Sequence, residues 1–356
     1  MAADIRVSVD LVQELDAGEW ARRHAEDEVP DHAPYGLDRL TAHGVHPHFR
    51  ESLSSAPARW FAGKVRNRAG GVELVEALAA SLRRERRTRD AVLCMDERTG
   101  IAATLVPGGT PVVSGLVWID RPERLAPAYR ALVQWSLPRL GGLWTYSSRM
   151  VPMLQEAWGL PSEQVHLLPL GIDADFYPEQ PWPERGGLVV SAGEDRGRDH
   201  ALLVEAVRRV RESVPGVHLE LASSLPVAVD PALVTVHRQR LNGAMRELYR
   251  RSTVVAVAIR PTPVVSGLTV VLEAMASGRP IVVTANPGID EYVEHGVSGL
   301  LVRPGDPDAF ATALRELLSD PDRVREMGRN GRAAVERGWT TDHMAARIAP
   351  VIRRAL

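Results

Sequence analysis

A single carboxylate stands in a segment that otherwise has the composition of a buried core. The segment is VSGLTVVLEAMASGRPIVVTANPG, residues 265–288, and the carboxylate is Glu273. An unpaired buried carboxylate is costly, so Glu273 needs hydrogen-bond donors. A ribose offers two adjacent hydroxyl groups that one carboxylate can accept together. The alternative is a glutamate near a helix N-terminus that only complements the helix dipole.

The residues just before Glu273 could bind the phosphates of the same nucleotide. A helix is predicted to begin near Leu268, and the backbone N–H groups at such a start favour an anion. Glu273 would lie one turn into this helix, on the face of Thr269. The helix start would then hold a diphosphate while Glu273 holds the ribose. The residues assigned to this site are Ser266, Gly267, Leu268 and Thr269.

The elements that position these residues alternate between strand and helix. Apolar runs in the second half predict strands at 187–193, 217–223, 253–259, 280–284 and 298–302. Helical patterns lie between or after them, at 198–214, 243–252, 268–277, 288–295 and 306–319. Strands with little polar alternation, separated by helices, indicate a parallel sheet that is covered on both faces.

The first half shows the same alternation more loosely. Its predicted strands lie near 5–10, 45–49, 90–96, 111–119, 142–147 and 165–170, and its helices near 35–43, 70–87, 98–106, 122–138 and 148–158. The proline-rich segment DADFYPEQPWPERGG, residues 173–187, has the composition of a linker. We therefore expect the α/β class, with two doubly wound Rossmann-like domains facing a cleft. The expected domains are 1–178, with a final helix at 340–356 packing back on it, and 185–337.

Composition excludes several classes of protein. The net charge of −2 gives no overall field that would attract nucleic acid. The only cysteine, Cys94, allows no internal disulfide and indicates a reducing compartment. The N-terminus lacks the features of a signal peptide, and no apolar run reaches the ~18 residues needed to span a bilayer. We expect a cytoplasmic protein without a transmembrane segment or a nucleic-acid partner.

Residues 266–314 resemble the C-terminal signature of the family 4 glycosyltransferases of the GT-B fold. In that family an E-x7-E motif runs into A-M-A-x-G-x-P-V-V, and its second Glu, which binds the ribose, falls on Glu273. The segment LPLGIDADFYP, residues 168–178, resembles the interdomain segment of the family. SAGEDRGRDH, residues 191–200, resembles the loop whose Arg and Lys pair with the donor diphosphate, which adds Gly193 to the donor-binding residues.

The chain departs from the family pattern at three places. Val265 stands at the first Glu of E-x7-E, so the acidic contact to the donor sugar is lost. Glu194 stands where the Arg of the phosphate loop is expected, with Arg198 at the Lys position and Arg196 nearby. Arginine can contact phosphate oxygens through two N–H groups at once. The glycine-rich loop after the first strand is replaced by residues 11–36.

The resemblance implies a retaining glycosyltransferase that moves a sugar from a nucleotide-diphosphate sugar to an acceptor hydroxyl. A small-molecule natural product and a glycan precursor are the candidate acceptors, and the N-terminal domain would bind them. The leaving group is a nucleoside diphosphate, so catalysis would mainly stabilise negative charge as the glycosidic bond breaks. Arg198, Arg196 and the amides after Ser266 would do this without a metal ion or a cofactor.

Other acidic residues raise separate questions. Asp96, in CMDERTG at 94–100, follows a predicted strand and is the candidate for contacting an acceptor hydroxyl; the alternative is that it caps the next helix. The D-x-D strings at 173–175, 306–308 and 320–322 could suggest a metal site. Their positions in a linker and at helix starts favour capping.

Two other functions stay open from the sequence. The chain could be a non-catalytic partner protein with the same fold, since Val265 and Glu194 replace family residues. It could also be a nucleotide-sugar epimerase, or a pseudo-glycosyltransferase that couples non-sugar rings. The sequence does not indicate the oligomeric state or the identities of nucleotide, sugar and acceptor.

Overall fold

The computed structural model describes residues 4–12, 15–50, 53, 55–81, 88–183 and 186–356, and these residues form two compact units. The N-terminal unit comprises Met1–Glu26, Asp31–Pro169 and Thr341–Leu356, and the C-terminal unit comprises Asp27–Pro30 and Leu170–Thr340. Residues 170–178, which we expected in the first domain, belong to the C-terminal unit.

Each unit contains one six-stranded sheet whose neighbouring strands are all parallel. The strands are β1 (Ile5–Asp10), β2 (Val45–Phe49), β3 (Ala91–Cys94), β4 (Val112–Gly115), β5 (Gly142–Thr145), β6 (Val165–Leu167), β7 (Leu188–Ala192), β8 (His218–Ala222), β9 (Val234–His237), β10 (Val254–Val257), β11 (Ile281–Thr284) and β12 (Gly299–Val302). Their order is β2-β1-β3-β4-β5-β6 in the N-terminal unit and β12-β11-β10-β7-β8-β9 in the C-terminal unit. The expected class, doubly wound parallel α/β, is confirmed.

Helices connect the strands and pack on the sheets. They are α1 (Ala17–Ala25), α2 (Ala56–Arg68), α3 (Leu74–Ser81), α4 (Glu97–Thr104), α5 (Pro127–Ser136), α6 (Met150–Trp158), α7 (His200–Val210), α8 (Met245–Arg251), α9 (Leu268–Ala276), α10 (Pro307–Ser319), α11 (Pro321–Gly338) and α12 (Thr341–Ala355). Residues Pro34–His43 form 3₁₀ turns instead of the predicted α-helix. Among the described helices, none combines the length and the apolar composition needed to cross a bilayer.

The strand order of the C-terminal unit reverses between β10 and β7, which lie side by side at its centre. Open α/β sheets bind ligands outside the carboxyl ends of the strands at such a point. Every residue of β10 and β11 is buried, which explains their uninterrupted apolar sequence. Helix α9 is also apolar around most of its circumference, as expected for a helix packed into a core.

The segment predicted as a linker, residues 173–187, makes several hydrogen bonds within the C-terminal unit; its residues 184 and 185 lie outside the described ranges. The buried guanidinium of Arg279 donates to the carbonyl oxygens of Gln180 at 3.1 Å and Pro181 at 2.6 Å. Arg332 donates to the carbonyl oxygens of Ala174 at 2.9 Å and Tyr177 at 2.8 Å. The described part of this proline-rich segment forms no regular helix or sheet, so its carbonyl oxygens need other donors, and the two arginines supply them. Residues 174–181 are therefore part of the C-terminal unit.

Several elements were not predicted, or were predicted as another type. Strand β9 and helices α1, α2 and α11 had no prediction, and residues 288–295 form only the 3₁₀ turn Ile289–Glu291. Helix α11 contains Gly328 and Gly331, which usually weaken a helix. Here Gly328 permits close packing, since a Cβ at that position would stand 2.1 Å from the carbonyl oxygen of Gly278.

Candidate functional site

The candidate site is built at the N-terminus of α9, where Gly267 is the N-cap residue. Its φ of +80° is one that L side chains rarely adopt. In the described part of the chain no side chain caps this end, so its first N–H groups are available to another acceptor. Ser266 and Leu268 are buried beside Gly267. Along α9 Thr269 is exposed and Glu273 is half-buried, whereas the other residues are buried; these two lie on one face, one turn apart.

Arg198 reaches this helix start from the loop that follows β7. Its Nε donates to Asp195 at 2.7 Å, and a backbone bridge joins it to Ile259, just beyond β10. The guanidinium lies between two glycines. A Cβ on Gly193 would stand 2.2 Å from Nε, and a Cβ on Gly267 would stand 3.0 Å from Nη1. Because both positions lack a side chain, Arg198 can lie directly against the start of α9.

Two polar atoms at this place have no hydrogen-bond partner among the residues that the structure describes. They are Nη1 of Arg198 and Oγ of Ser266. Both side chains are buried, with 7% of Arg198 and 6% of Ser266 exposed. An unpaired buried polar group costs about 1–3 kcal/mol, and more when it is charged. A cation, a hydroxyl group and the amides of a helix start together suit an anion such as a phosphate.

The rest of the loop after β7 is fixed by the sheet edge around it. The carbonyl oxygen of Gly193 accepts a hydrogen bond from the Ser223 hydroxyl at 2.7 Å. Glu194 is exposed, and its carboxylate accepts the backbone N–H of Ser224 at 2.9 Å. Glu194 thus stabilises the loop that follows β8. At the position where the family has an arginine, this chain therefore has a residue with a structural role. Arg196 has an exposed side chain, so the buried cation at the start of α9 is Arg198.

The carboxylate of Glu273 is held by two tyrosine hydroxyls. Tyr177 donates to Oε1 at 2.9 Å, and Tyr249 donates to Oε2 at 2.6 Å. Burial raises the pKa of Glu273, whereas the two hydroxyls and the charge of Arg198 act to lower it. Burial and the neighbouring carboxylate raise the pKa of both tyrosines well above the usual value, so both remain protonated donors.

The two tyrosines were not predicted as site residues. The sequence did indicate that Glu273 needs donors, but Tyr249 lies 24 residues away and Tyr177 lies 96 residues away. Tyr177 belongs to the segment LPLGIDADFYP, which was matched to the family without giving its tyrosine a role. Tyr177 follows two acidic residues in a proline-rich segment, a context that does not predict a buried side chain. Its burial, and hence its role at the site, becomes visible only once the fold is known.

Val265 is a buried apolar residue, with 3% of its surface exposed. It precedes Ser266 and therefore lies at the same helix start as the unpaired hydroxyl. The residue brings apolar surface to the position where the family has a carboxylate.

Asp96 belongs to the N-terminal unit, where it caps α4. Its Oδ1 accepts the backbone N–H of Arg98 at 3.0 Å, and its Oδ2 accepts Nε of Arg98 at 3.0 Å. The capping alternative is therefore present in the structure. The next residue, Glu97, is buried and accepts the backbone N–H groups of Val117 at 2.8 Å and Trp118 at 2.9 Å. Burial and the adjacent Asp96 carboxylate raise the pKa of Glu97 to about 7.

Two of the D-x-D strings have their first carboxylate at a helix N-cap, and in the third it accepts a hydrogen bond within a turn. Asp306 accepts the backbone N–H of Ala309 at 2.9 Å at the start of α10, and Asp320 accepts that of Arg323 at 3.0 Å at the start of α11. Asp173 accepts the N–H of Asp175 at 3.1 Å. Within the described ranges no group of three or more His, Cys, Asp or Glu side chains could hold a metal ion.

Comparison with known proteins assigns the C-terminal half to a family. Residues 187–320 match the model of the family "Glycosyl transferases group 1". The D-inositol 3-phosphate glycosyltransferase of Xylanimonas cellulosilytica is 31% identical over 71% of this chain and 63% of that protein. The MMP alpha-(1->4)-mannosyltransferase of Mycolicibacterium hassiacum is 27% identical over 60% of this chain and 54% of that protein. The chain thus spans less than two thirds of the length of either relative.

Solved structures match the whole fold. Sucrose-phosphate synthase from Thermosynechococcus elongatus superimposes with a TM-score of 0.72 at 15% identity, covering 98% of both chains. HepE from Anabaena superimposes with a TM-score of 0.71 at 15% identity, covering 98% of this chain and 99% of that one. Residues 187–320 therefore form a group 1 glycosyltransferase domain, the chain has the GT-B fold, and the curated relatives support a place among the family 4 glycosyltransferases.

Proposed function

We propose that this protein is a retaining glycosyltransferase that moves a sugar from a nucleoside-diphosphate sugar to an acceptor hydroxyl group. The observation that carries the proposal is the pair of unpaired buried atoms, Arg198 Nη1 and Ser266 Oγ, at the start of α9. Support also comes from the curated relatives, two of which are named as glycosyl- and mannosyltransferases, and from HepE, which was crystallised with UDP-glucose.

The arrangement along α9 fits the order of groups in a nucleoside diphosphate. The diphosphate would lie at the helix start, against Arg198, Ser266 and the amides of Leu268 and Thr269. Glu273 lies five residues after Leu268, which is about 7.5 Å along a helix axis. That separation lets the ribose reach Glu273 while its 5′-phosphate stays at the helix start. The carboxylate would accept the ribose hydroxyls at the exposed face that it shares with Thr269.

The same groups would supply the catalysis. As the glycosidic bond breaks, negative charge grows on the departing diphosphate, and a cation aimed there stabilises the transition state more than the ground state. Arg198 is held in place by Asp195 before the substrate arrives, so little reorganisation is needed. Under this proposal neither a metal ion nor a separate cofactor is required. The departing phosphate would accept the proton of the acceptor hydroxyl on the same face of the sugar, which retains the anomeric configuration.

The test is nucleotide binding in matched variants. UDP, GDP, ADP and inorganic pyrophosphate are titrated against the parent, Ser266→Ala and Arg198→Gln. We expect at least one nucleoside diphosphate to bind the parent, and both variants to lose at least tenfold in affinity. Ser277→Ala is the control, because Ser277 is a fully buried serine with an unpaired hydroxyl at the opposite end of α9. Equal binding by the parent, Ser266→Ala and Arg198→Gln would contradict the assignment of the diphosphate site.

Activity and stereochemistry need a separate measurement. Consumption of the best-binding nucleotide sugar is followed with a mixture of hydroxyl acceptors, and the product anomer is read from its NMR coupling constant. We expect the product to keep the anomeric configuration of the donor. An inverted product would contradict the retaining assignment while leaving the nucleotide site intact.

A further inference from the structure

Among the residues that the structure describes, the hydrogen bonds to the Glu273 carboxylate come from two buried phenols and not from a cation. Tyr249 has no exposed surface and Tyr177 keeps 3% of its surface exposed, and each donates to a different carboxylate oxygen. Two anchors on two oxygens fix both the position and the rotation of the carboxylate plane. The rings lie 6.2 Å apart in an edge arrangement, so each phenol restrains the other.

The donors to Glu273 are neutral, and Arg198 acts on the carboxylate only through its charge and not through a hydrogen bond. A buried carboxylate is usually paired with a cation, because burying an unpaired charge is costly. Glu220 in the same unit is of that kind, since Arg251 contacts its two oxygens at 2.6 Å and 3.0 Å. A carboxylate offers about four acceptor sites, so Glu273 keeps two for other donors after the tyrosines are counted.

We propose that Tyr177 and Tyr249 are positioning residues that make Glu273 select a ribose over a 2′-deoxyribose. The inference rests on the proposed function, and it names the nucleotide class that the site takes. With one site of each oxygen occupied by a tyrosine, the remaining sites form a matched pair for the 2′- and 3′-hydroxyls. A deoxyribose would fill only one of them and would leave a buried charge partly unpaired. Donors based on dTDP would therefore be poor substrates.

The experiment measures a ratio of affinities. UDP, GDP and ADP are each compared with dUDP, dGDP and dADP by calorimetric titration. The proteins are the parent, Tyr177→Phe, Tyr249→Phe, the double variant and Tyr292→Phe. Tyr292 is the matched control, because it is a buried tyrosine of the same unit whose hydroxyl accepts the N–H of Leu170 at 3.0 Å. The single variants are read separately, so that failure of one to fold leaves the other informative.

We expect the parent to prefer the ribonucleotide by at least tenfold. Each single variant should lower that preference to about threefold, and the double variant should abolish it, while Tyr292→Phe keeps it. Pyrophosphate should bind all five proteins equally, which separates positioning from general damage to the unit. A double variant that keeps the parent's preference overturns the inference, as does a parent that binds both sugars equally. In either case, loss of pyrophosphate binding in Ser266→Ala would still support the diphosphate site. A parent that binds no nucleotide overturns the proposed function as well.

Discussion

Nη1 of Arg198 stands 3.0 Å from the point where a Cβ on Gly267 would lie. That spacing is tighter than most real Cβ contacts, and the same Cβ would stand 2.9 Å from Cδ1 of Ile259 and 3.0 Å from Cγ1 of Val257. An alanine at residue 267 would therefore displace the guanidinium or the helix start. We expect Gly267→Ala to lower nucleoside-diphosphate affinity at least tenfold.

Gly296→Ala is the matched control for this change. Gly296 has the same φ of +80°, but its Cβ would meet nothing within 4 Å. Both variants should lose about 1–2 kcal/mol of stability through the left-handed backbone. Only Gly267→Ala should lose binding. Parent-like affinity in Gly267→Ala would show that Arg198 is not confined as the structure indicates.

The parallel sheets could be predicted because their strands are buried on both faces. The sequences LVVSA of β7 and IVVT of β11 are short apolar runs without polar alternation, as expected for such strands. Strand β9 has the sequence VTVH, which is short, partly exposed and at the sheet edge, so it has no comparable signal. The cap at Asp320 was predicted, but helix α11 that follows it was not. Its glycines have a low helix propensity, and their place in the helix depends on tertiary contacts.

The candidate site likewise has parts that the sequence predicts and parts that only the fold shows. The helix start at residues 266–269 and the carboxylate at Glu273 follow from spacing along one helix, which a sequence displays directly. The hydrogen bonds from Tyr177 and Tyr249 to Glu273 depend on packing between distant segments. The unpaired state of Arg198 Nη1 likewise arises only when two glycines and a helix end meet around it.

Glu273→Gln should move stability and binding in opposite directions. Burial favours the neutral form of this carboxyl group, as the raised pKa shows. An uncharged isostere should therefore increase the free energy of unfolding at pH 7. It should also weaken nucleoside-diphosphate binding at least tenfold, because a ribose hydroxyl loses a charged acceptor. Urea denaturation without ligand and calorimetric titration check the two signs, and a variant that binds like the parent would contradict the ribose assignment.

Glu97 should make the stability of the parent depend on pH. Its pKa is raised from 4.5 to about 7 in the folded protein. A raised folded-state pKa gives stability that is complete below the unfolded pKa and is lost as pH rises through the folded one. Relative to Glu97→Gln, the parent should lose about 3 kcal/mol of unfolding free energy between pH 4.5 and pH 8. Urea titrations of both proteins across this range provide the measurement, and a constant difference between them would show that Glu97 does not titrate there.

Turnover should persist in excess EDTA. The positive charge that a metal ion would supply is expected from Arg198 and the start of α9, and the Asp306 and Asp320 carboxylates already cap helices. Initial rates are compared before and after chelation, with Mg²⁺ and Mn²⁺ added back. Loss of activity that either ion restores would require a metal-assisted route.

Val265 should set the preference for the donor sugar. The family carboxylate at this position would accept hydrogen bonds from sugar hydroxyls, whereas a buried valine offers only apolar surface. A hydroxyl directed at it would be left unpaired, and a charged hydrogen bond contributes about 1.5–3 kcal/mol, or roughly tenfold or more in selection. We therefore expect the parent to have a higher kcat/KM for a donor that is deoxy at the contacted position than for the full hexose.

Two substitutions test whether Val265 itself carries that preference. Val265→Thr adds a hydroxyl group at nearly constant shape and should reduce the preference for the deoxy donor. Val265→Glu should shift it toward the hexose, although a carboxylate in this buried position will also lower stability unless the sugar pairs with it. Values of kcat/KM for the hexose donor and its deoxy analogue are compared in the three proteins, after their melting temperatures have been measured without donor. If the parent already prefers the full hexose, Ser266 or the backbone at Gly267 must supply the missing contact, and Val265 is not matched to an absent hydroxyl.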